Sequence, residues 1–237
     1  MISFKELGKQ GRMSNQLFQI ANCVALALRS NDRYIFPPWE HEQYFNLHGC
    51  FSDNIPNTET YTEPHFHYAP IPYRPNLNLS GYFQSYKYFE DYQDVIHNLL
   101  TPKIGFGIKH GYTSLHIRRT DYLTIPGAYE QLDISYYEKA MKMIGSKNYI
   151  VFSDDIPWCR QNFTGDNITF SESRSAVEDL SLMSSCENQI MANSSYSWWG
   201  AWLNKNPYKK IIMPNRWFGP ALPHNVKDLC PPEWIKI

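Results

Sequence analysis

The alternation of strand-like and helix-like segments after Tyr112 constrains the fold of this chain more than any other feature. Short apolar runs rich in β-branched residues alternate there with longer runs in which apolar residues recur at helical spacing. The predicted strands are Tyr112–Ile117, Tyr149–Phe152, Ile168–Phe170, Asn188–Ala192 and Lys210–Met213, and the predicted helices are Ser135–Ile144 and Ala176–Cys186. This order is typical of a parallel sheet covered by helices, so we expect an α/β fold.

Polar residues are concentrated where three of these predicted strands end. The three clusters are His116–Asp121, Ser153–Asp155 and Asn193–Ser197. Because carboxyl ends of parallel strands meet at one edge of a sheet, the clusters should lie together, where open α/β sheets bind ligands. Two adjacent arginines, Arg118 and Arg119, are costly at the end of a core strand unless an anion meets them. The alternative is a solvated loop whose arginines pair with surface carboxylates.

The beginning of the chain predicts a long helix with an unusual N-terminus. Ser14 is the predicted N-cap. The apolar residues that follow at helical spacing are Leu17, Ile20, Ala21, Val24 and Leu28. Arg12 and Asn15 lie around the predicted N-terminus, where free N–H groups suit an anionic ligand. A well-capped structural helix explains the same residues.

The segment between this helix and residue 103 predicts the rest of a first domain. Residues 34–76 are rich in proline and aromatic residues and form either an acceptor-binding wall or irregular packing. Further predictions are strands at Tyr34–Phe36 and Leu77–Phe83, and a helix at Tyr86–Leu100 with Tyr88, Phe89, Tyr92, Ile96 and Leu99 buried. The turn Thr101–Lys103 ends this helix, so we expect domains at 1–102 and 103–237, with the C-terminal tail as a candidate to pack on the first.

Composition narrows the possible partners and the compartment. The 237 residues include 22 Lys and Arg against 23 Asp and Glu, which argues against a nucleic-acid partner. The five cysteines form no CxxC pair, so we expect reduced thiols. No apolar run is long enough for a membrane span and the start has no apolar signal segment, so we expect a soluble, cytoplasmic protein.

The residues of the three clusters suggest binding of a nucleotide. Serine hydroxyls and N–H groups at a helix start suit phosphate, as do the forked guanidinium groups of arginines. Asp179, early in its helix, is suited to accept from the N1–H and amino group of guanine with His116 contributing a further contact, or it caps the helix or compensates the helix dipole. Asp154 and Asp155 resemble a metal-binding pair, but the arginines already supply the positive charge that a metal would bring, so a metal is not needed.

Several segments together resemble the α1,2-fucosyltransferases of glycosyltransferase family 11. The matching pieces are GRMSNQLFQ, LSGYFQSYKYF, HIRRTDY, YIVFSDD, EDLSLMSSCENQIMANSSYSWWGAWL and PNRWF, in the family's order from Gly11 to Phe218. Ser14 stands where the family usually has glycine. HIRRTD together with NSSYSWWGAWL is highly specific, whereas the wider HxR pattern is shared with α1,6- and protein O-fucosyltransferases.

The resemblance implies a fold, a donor and a reaction. The fold is GT-B-like, with two Rossmann-like domains facing a cleft, the C-terminal one holding the nucleotide and the N-terminal one contacting a glycan acceptor. The donor is GDP-β-L-fucose, and fucose moves with inversion and without a metal or other cofactor to O2 of a terminal β-galactoside. The alternatives are an α1,6- or protein-O-type fucosyltransferase, and a nucleotide-sugar-binding module without transferase activity.

The resemblance also implies roles for single residues. Arg118 binds the β-phosphate, and His116 and Asp179 fall where guanine recognition is expected. The other residues expected at the donor are Arg12, Asn15, Asp154, Ser195, Tyr196 and Ser197. Asp121 is either a general base, with Glu130 as a second candidate, or a residue that holds Arg118 or Arg119 in place.

Overall fold

The computed structural model describes residues 1–56, 59–173 and 175–237. The chain divides into two compact units. Unit 1 contains Met1–Lys103 and His224–Pro231, and unit 2 contains Ile104–Pro223 and Pro232–Ile237. Each unit is built on a parallel sheet, so the predicted α/β class is confirmed. Within the described residues, no helix has the length and apolar character needed to cross a bilayer.

The sheet of unit 1 has four short parallel strands in the order β2-β1-β4-β3. The strands are β1 (Ile2–Ser3), β2 (Tyr34–Ile35), β3 (Glu59–Thr62) and β4 (Leu77–Ser80). Leu77 and Leu79 of β4 are buried, as expected for a strand in the middle of a sheet.

Helix α1 (Met13–Arg29) is the main helix of unit 1, and its start differs from the prediction. The N-cap is Arg12, so the predicted N-cap Ser14 is wrong; Ser14 lies inside the first turn and is buried. The chain turns instead at Gly11, whose φ is +72°, and the Gln16 side chain donates to the Gly11 carbonyl at 2.9 Å. Leu28 of the predicted apolar stripe is exposed.

The helix predicted at Tyr86–Leu100 is broken into three pieces. Two 3₁₀ turns, Tyr86–Tyr88 and Glu90–Tyr92, precede α2 (Gln93–Leu100). Tyr88 and Phe89 are both fully buried, and consecutive residues do not share one face of a regular helix. A third 3₁₀ turn is Glu42–Tyr44.

Unit 2 contains a six-stranded parallel sheet in the order β10-β9-β8-β5-β6-β7. The strands are β5 (Lys109–Ile117), β6 (Asn148–Ser153), β7 (Ile168–Phe170), β8 (Cys186–Ile190), β9 (Ile211–Met213) and β10 (Ile235–Lys236). All five predicted strands are present with small shifts at their ends, and β10 was not predicted.

Helices cover both faces of this sheet. They are α3 (Thr120–Thr124), α4 (Ile134–Ile144), α5 (Ile156–Asn162), α6 (Ala176–Ser185) and α7 (Ser195–Trp202). Leu115 of β5 packs in one cluster with Tyr137 of α4, whereas Phe152 of β6 packs in another with Met183 of α6. Helices α3 and α5 were not predicted because five and seven residues are too few to show helical periodicity.

The strand order places a topological switch point beside β5. The chain adds β6 and β7 on one side of β5 and then places β8 on the other side. In such sheets ligands bind in the crevice beyond the carboxyl ends of the strands at the switch point. The three polar clusters follow β5, β6 and β8, so the prediction that they share one edge is confirmed.

Candidate active site at the carboxyl edge of the unit 2 sheet

The register of β5 and β6 sets two arginines opposite two aspartates. His116 pairs with Phe152 and Ile117 with Ser153, so the next positions along the chain face each other as Arg118 with Asp154 and Arg119 with Asp155. Arg118 Nη1 lies 3.3 Å from Asp154 Oδ2, and Arg119 Nε lies 3.1 Å from Asp155 Oδ2. The carboxylates of the neighbouring strand therefore meet the charges that are costly at a core strand end.

Arg118 has a second carboxylate partner. Its Nη2 donates to Asp121 Oδ2 at 2.6 Å, and its guanidinium carbon lies 5.5 Å from the centroid of the Tyr122 ring. The Arg118 side chain is 16% exposed, against 18% for Asp154 and 39% for Asp121. Arg118 thus lies between two carboxylates at the switch-point edge. Its contact with Asp121 supports the positioning role that was one of the two roles expected of Asp121.

Asp154 also holds the backbone that carries the arginines. Its Oδ1 accepts from the Arg119 backbone N–H at 2.9 Å, and its Oδ2 accepts from Thr120 Oγ1 at 2.5 Å. Three consecutive residues are therefore tied to one carboxylate. This contact set differs from the direct donor contact that the resemblance implied for Asp154, which stays a prediction.

Arg119 is directed to α5. Its guanidinium carbon lies 3.7 Å from the centroid of the Trp158 ring, and its partner Asp155 caps α5 by accepting from the Trp158 N–H at 3.1 Å. A cation stacked on indole and paired with a capping carboxylate fixes helix position. Arg119 thus contacts the start of α5, whereas Arg118 lies between the carboxylates of Asp121 and Asp154.

The aspartate pair does not form part of a larger ligand set in the described ranges 1–56, 59–173 and 175–237. No group of three or more His, Cys, Asp and Glu side chains there is arranged to hold a metal ion. Both carboxylates of the pair already contact arginines.

His116 is a buried, neutral imidazole. It is 4% exposed, and burial together with the neighbouring Arg118 charge lowers its pKa to about 3. Its Nδ1 forms a hydrogen bond with Ser197 Oγ, and that oxygen also accepts from the Ala192 N–H at 3.1 Å. The serine oxygen has two acceptor lone pairs and one proton, so it can accept from or donate to Nδ1, and the direction of this bond depends on the histidine tautomer. His116 is therefore a neutral imidazole that Ser197 fixes at the strand end.

Tyr196 lies between His116 and Asp179. The His116 and Tyr196 ring centroids are 5.4 Å apart, and Tyr196 Oη donates to the Ala176 carbonyl at 2.6 Å. Burial, and after it the nearby Asp179 carboxylate, raises the pKa of Tyr196, so the phenol stays protonated. His116, at the carboxyl end of β5, and Asp179, in the first turn of α6, are the two residues predicted to recognise guanine, and both lie near Tyr196.

The cap of α6 is a serine and not Asp179. Ser175 Oγ accepts from the Glu178 N–H at 3.2 Å, whereas the Asp179 carboxylate accepts from Ser171 Oγ. Helix capping therefore belongs to another residue, whereas Asp179 lies in the first turn, where its charge complements the helix dipole, and its contact with guanine stays a prediction.

The start of α7 divides the predicted phosphate loop into different roles. Ser194 is the N-cap and its Oγ accepts from the Tyr196 N–H at 3.2 Å. Ser197 is fully buried, and its hydroxyl bonds to Ala192 and His116. Ser197 therefore holds the His116 ring through a hydrogen bond to Nδ1. Ser195 is half-buried at the first helical position, and its phosphate contact stays a prediction.

Arg12 and Asn15 lie in unit 1, whereas the other predicted site residues lie in unit 2. Arg12 is exposed at the N-cap of α1. Asn15 Oδ1 accepts from Gln84 Nε2 at 2.8 Å, and a Cβ atom at Gly11 would lie 2.4 Å from Asn15 Nδ2. A residue with a side chain at position 11 would therefore clash with Asn15, which pairs with Gln84. The donor contacts expected of Arg12 and Asn15 stay predictions.

Sequence reasoning missed residues whose role depends on strand register. Thr120, Asp155 and Trp158 hold the arginine segment, but their contacts follow only from the pairing of β5 with β6. Asn193 was noted only as part of a polar cluster; its side chain donates to the carbonyls of Glu130 and Trp217 and ties two loops to the end of β8. The sequence does predict a serine cap in NSSYSWWGAWL, because serine before an apolar helix is a common N-cap, and Ser194 is that serine.

Comparison with known proteins finds similarity over most of the chain. The sequence profile of glycosyl transferase family 11 matches residues 5–237. The O-antigen biosynthesis glycosyltransferase WbnK of Escherichia coli is 42% identical over 136 residues, which cover 53% of this chain and 44% of WbnK. The alpha-1,2-colitosyltransferase of Escherichia coli is 28% identical over 281 aligned positions, with 96% of each chain covered.

A mammalian relative and a solved structure are more distant. The galactoside alpha-(1,2)-fucosyltransferase 2 of Bos taurus is 22% identical over 276 aligned positions, with 93% of this chain and 78% of the relative covered. The crystal structure of the fucosyltransferase NodZ from Bradyrhizobium matches with a TM-score of 0.52 and 10% identity, covering 84% of this chain and 91% of NodZ. This structural match shows a similar fold.

Proposed function

The chain belongs to glycosyl transferase family 11, and we propose that it is an inverting fucosyltransferase that moves L-fucose from GDP-β-L-fucose to a glycan hydroxyl. The proposed acceptor position is O2 of a terminal β-galactoside. The observation that carries the proposal is Arg118, a partly buried cation beside a neutral histidine at the switch-point edge of the unit 2 sheet. The proposal includes a GT-B arrangement, with donor binding by unit 2 and acceptor contacts from unit 1.

The reaction needs stabilisation of the leaving diphosphate. The acceptor oxygen forms a bond to C1 of fucose while the bond from C1 to the β-phosphate oxygen breaks, so negative charge develops on GDP. Arg118 and the N–H groups at the start of α7 supply donors for that charge in a partly desolvated site. The proton of the acceptor hydroxyl goes to a base or to solvent, and Asp121 is the first candidate for the base.

His116 and Asp179 are the residues that we propose to bind the nucleotide base. In the tautomer with its proton on Nε2, neutral His116 donates a hydrogen bond, and the Asp179 carboxylate accepts from groups such as the N1–H and amino group of guanine. A neutral donor beside a carboxylate supports a guanine nucleotide, which fits GDP.

A second candidate differs only in the sugar moved. The relative that aligns over nearly the full length of both chains is named an alpha-1,2-colitosyltransferase, which supports transfer of colitose with the same linkage. The names of the galactoside alpha-(1,2)-fucosyltransferases support fucose.

An acceptor screen with GDP-fucose tests the proposal. We expect GDP release that depends on β-galactoside acceptors, an α1,2-linked product by NMR, and the same rate with and without EDTA. A 2-deoxygalactoside is the matched control, because it lacks the accepting hydroxyl and should not react. An α1,6 linkage, a rate abolished by EDTA, or binding of GDP-fucose without transfer to any acceptor would each contradict the proposal.

A further inference from the structure

The two carboxylates on Arg118 are attached to the protein in different ways. Asp154 follows a central strand and is held by the Arg119 N–H and the Thr120 hydroxyl in addition to Arg118. Asp121 lies in α3, a helix of five residues, and its side chain is the more exposed of the two, at 39%. Moving Asp154 away would break contacts to three consecutive residues, whereas Asp121 is the more exposed carboxylate and lies on a short helix.

The charges at this edge do not favour an anion while both carboxylates contact Arg118. Arg118 and Arg119 contribute two positive charges, and Asp121, Asp154 and Asp155 contribute three negative charges. His116 adds no charge at neutral pH because its pKa lies at about 3. A diphosphate that approaches Arg118 therefore meets like charge, and its binding becomes favourable if one carboxylate leaves.

We propose that the diphosphate of the donor displaces Asp121 from Arg118, whereas Asp154 stays in contact and positions the guanidinium group. Asp121 is then a competitor of the donor in the free protein, and Asp154 is a positioning residue. This assignment rests on the proposed function, and it separates two aspartates that the sequence alone places in one cluster.

The test is GDP binding measured by isothermal titration calorimetry. Asp121→Asn removes the competing charge, so we expect the Kd for GDP to fall about fivefold, as for a partly exposed ion pair worth roughly 1 kcal/mol. This gain should shrink at high salt, because exposed charges are screened. Asp154→Asn should instead raise the Kd. A role in folding alone would not tighten binding, so the opposite signs identify the two roles.

A matched control and a second variant complete the experiment. Asp166→Asn removes one charge from the exposed loop before β7, at the amino ends of the strands, and should leave the Kd unchanged. If Asp154→Asn does not fold, Thr120→Val removes one of the contacts that hold Asp154 and should also raise the Kd.

GDP binding distinguishes a failure of this inference from a failure of the proposed function. Unchanged or weaker GDP binding by Asp121→Asn, with normal binding by the unmodified protein, overturns the displacement of Asp121. Unchanged binding by Asp154→Asn, or by Thr120→Val in its place, overturns the positioning role. No binding of GDP by the unmodified protein overturns the proposed function, and the inference with it.

Discussion

At the scale of single residues, His116 links stability to pH. Its folded-state pKa of about 3 lies below the ordinary histidine value of about 6.5, because burial disfavours the charged ring. The unfolded chain therefore binds more protons between these two values, and the stability contributed by neutral His116 is complete above about pH 6.5 and falls as the pH drops toward 3.

The predicted size of this effect is large enough to measure. Lowering the pH from 7 to 5 should cost about 2 kcal/mol of unfolding free energy through His116 alone. In His116→Gln the loss over the same range should be smaller by that amount, as urea unfolding at the two pH values would show. The exposed His110→Gln is the control and should keep the full pH dependence. An equally steep loss in His116→Gln would rule out this account.

The identity of the site residues was predictable from the sequence, but their partners were not. Two arginines at a buried strand end indicate an anion whatever the fold, which is why Arg118 was found. That the first anions to meet them are Asp154 and Asp155 follows from the pairing of Ile117 with Ser153, a non-local fact. The contact of Ser197 is also non-local. The sequence predicts Ser197 at the phosphate, whereas its hydroxyl forms a hydrogen bond with His116 Nδ1.

At the scale of elements, the contact of α6 with α7 depends on Gly200. A Cβ atom there would lie 2.3 Å from Met183 Sδ and 2.8 Å from Met183 Cγ, and Met183 is buried. Gly200→Ala should therefore destabilise the fold by about 1–3 kcal/mol through overpacking, although alanine itself favours a helix by about 1 kcal/mol. Urea unfolding measures the change.

A double-mutant cycle identifies the cause of that effect. In a Met183→Ala background the clash is absent, so Gly200→Ala should become neutral or stabilising. If alanine at position 200 costs the same in both backgrounds, the close approach of α7 to Met183 is not the reason. Since α7 carries Ser197, the same variant should also disturb the environment of His116.

Elements with a clear period were predictable, and those fixed by special contacts were not. Helices α4 and α6 match their predictions to within one residue because their apolar residues recur over three turns. Helix α1 begins at Met13 because of the turn at Gly11 and the Gln16 side chain, neither of which a periodic pattern contains. The helix predicted at Tyr86 fails where two consecutive aromatic residues are both buried.

At the scale of the whole molecule, the α/β class follows from the order of elements, whereas the path of the last residues does not. Residues His224–Pro231 belong to unit 1, where Ser85 Oγ donates to the Asp228 carbonyl at 2.6 Å and Lys87 pairs with the Asp228 carboxylate. The chain then continues into β10 of unit 2. The sequence offers packing of the C-terminal tail on the first domain only as a candidate, because this path depends on contacts more than a hundred residues apart in sequence.

The central claim is that Arg118 stabilises the diphosphate that leaves when fucose is transferred. The most direct test compares the rate of fucose transfer from GDP-fucose by the unmodified protein and by Arg118→Ala, with the best acceptor from the screen. A charge-assisted hydrogen bond contributes roughly 1.5–3 kcal/mol, so the account predicts that kcat/KM falls by at least about tenfold in the variant. Near-normal transfer by a correctly folded Arg118→Ala protein would contradict it.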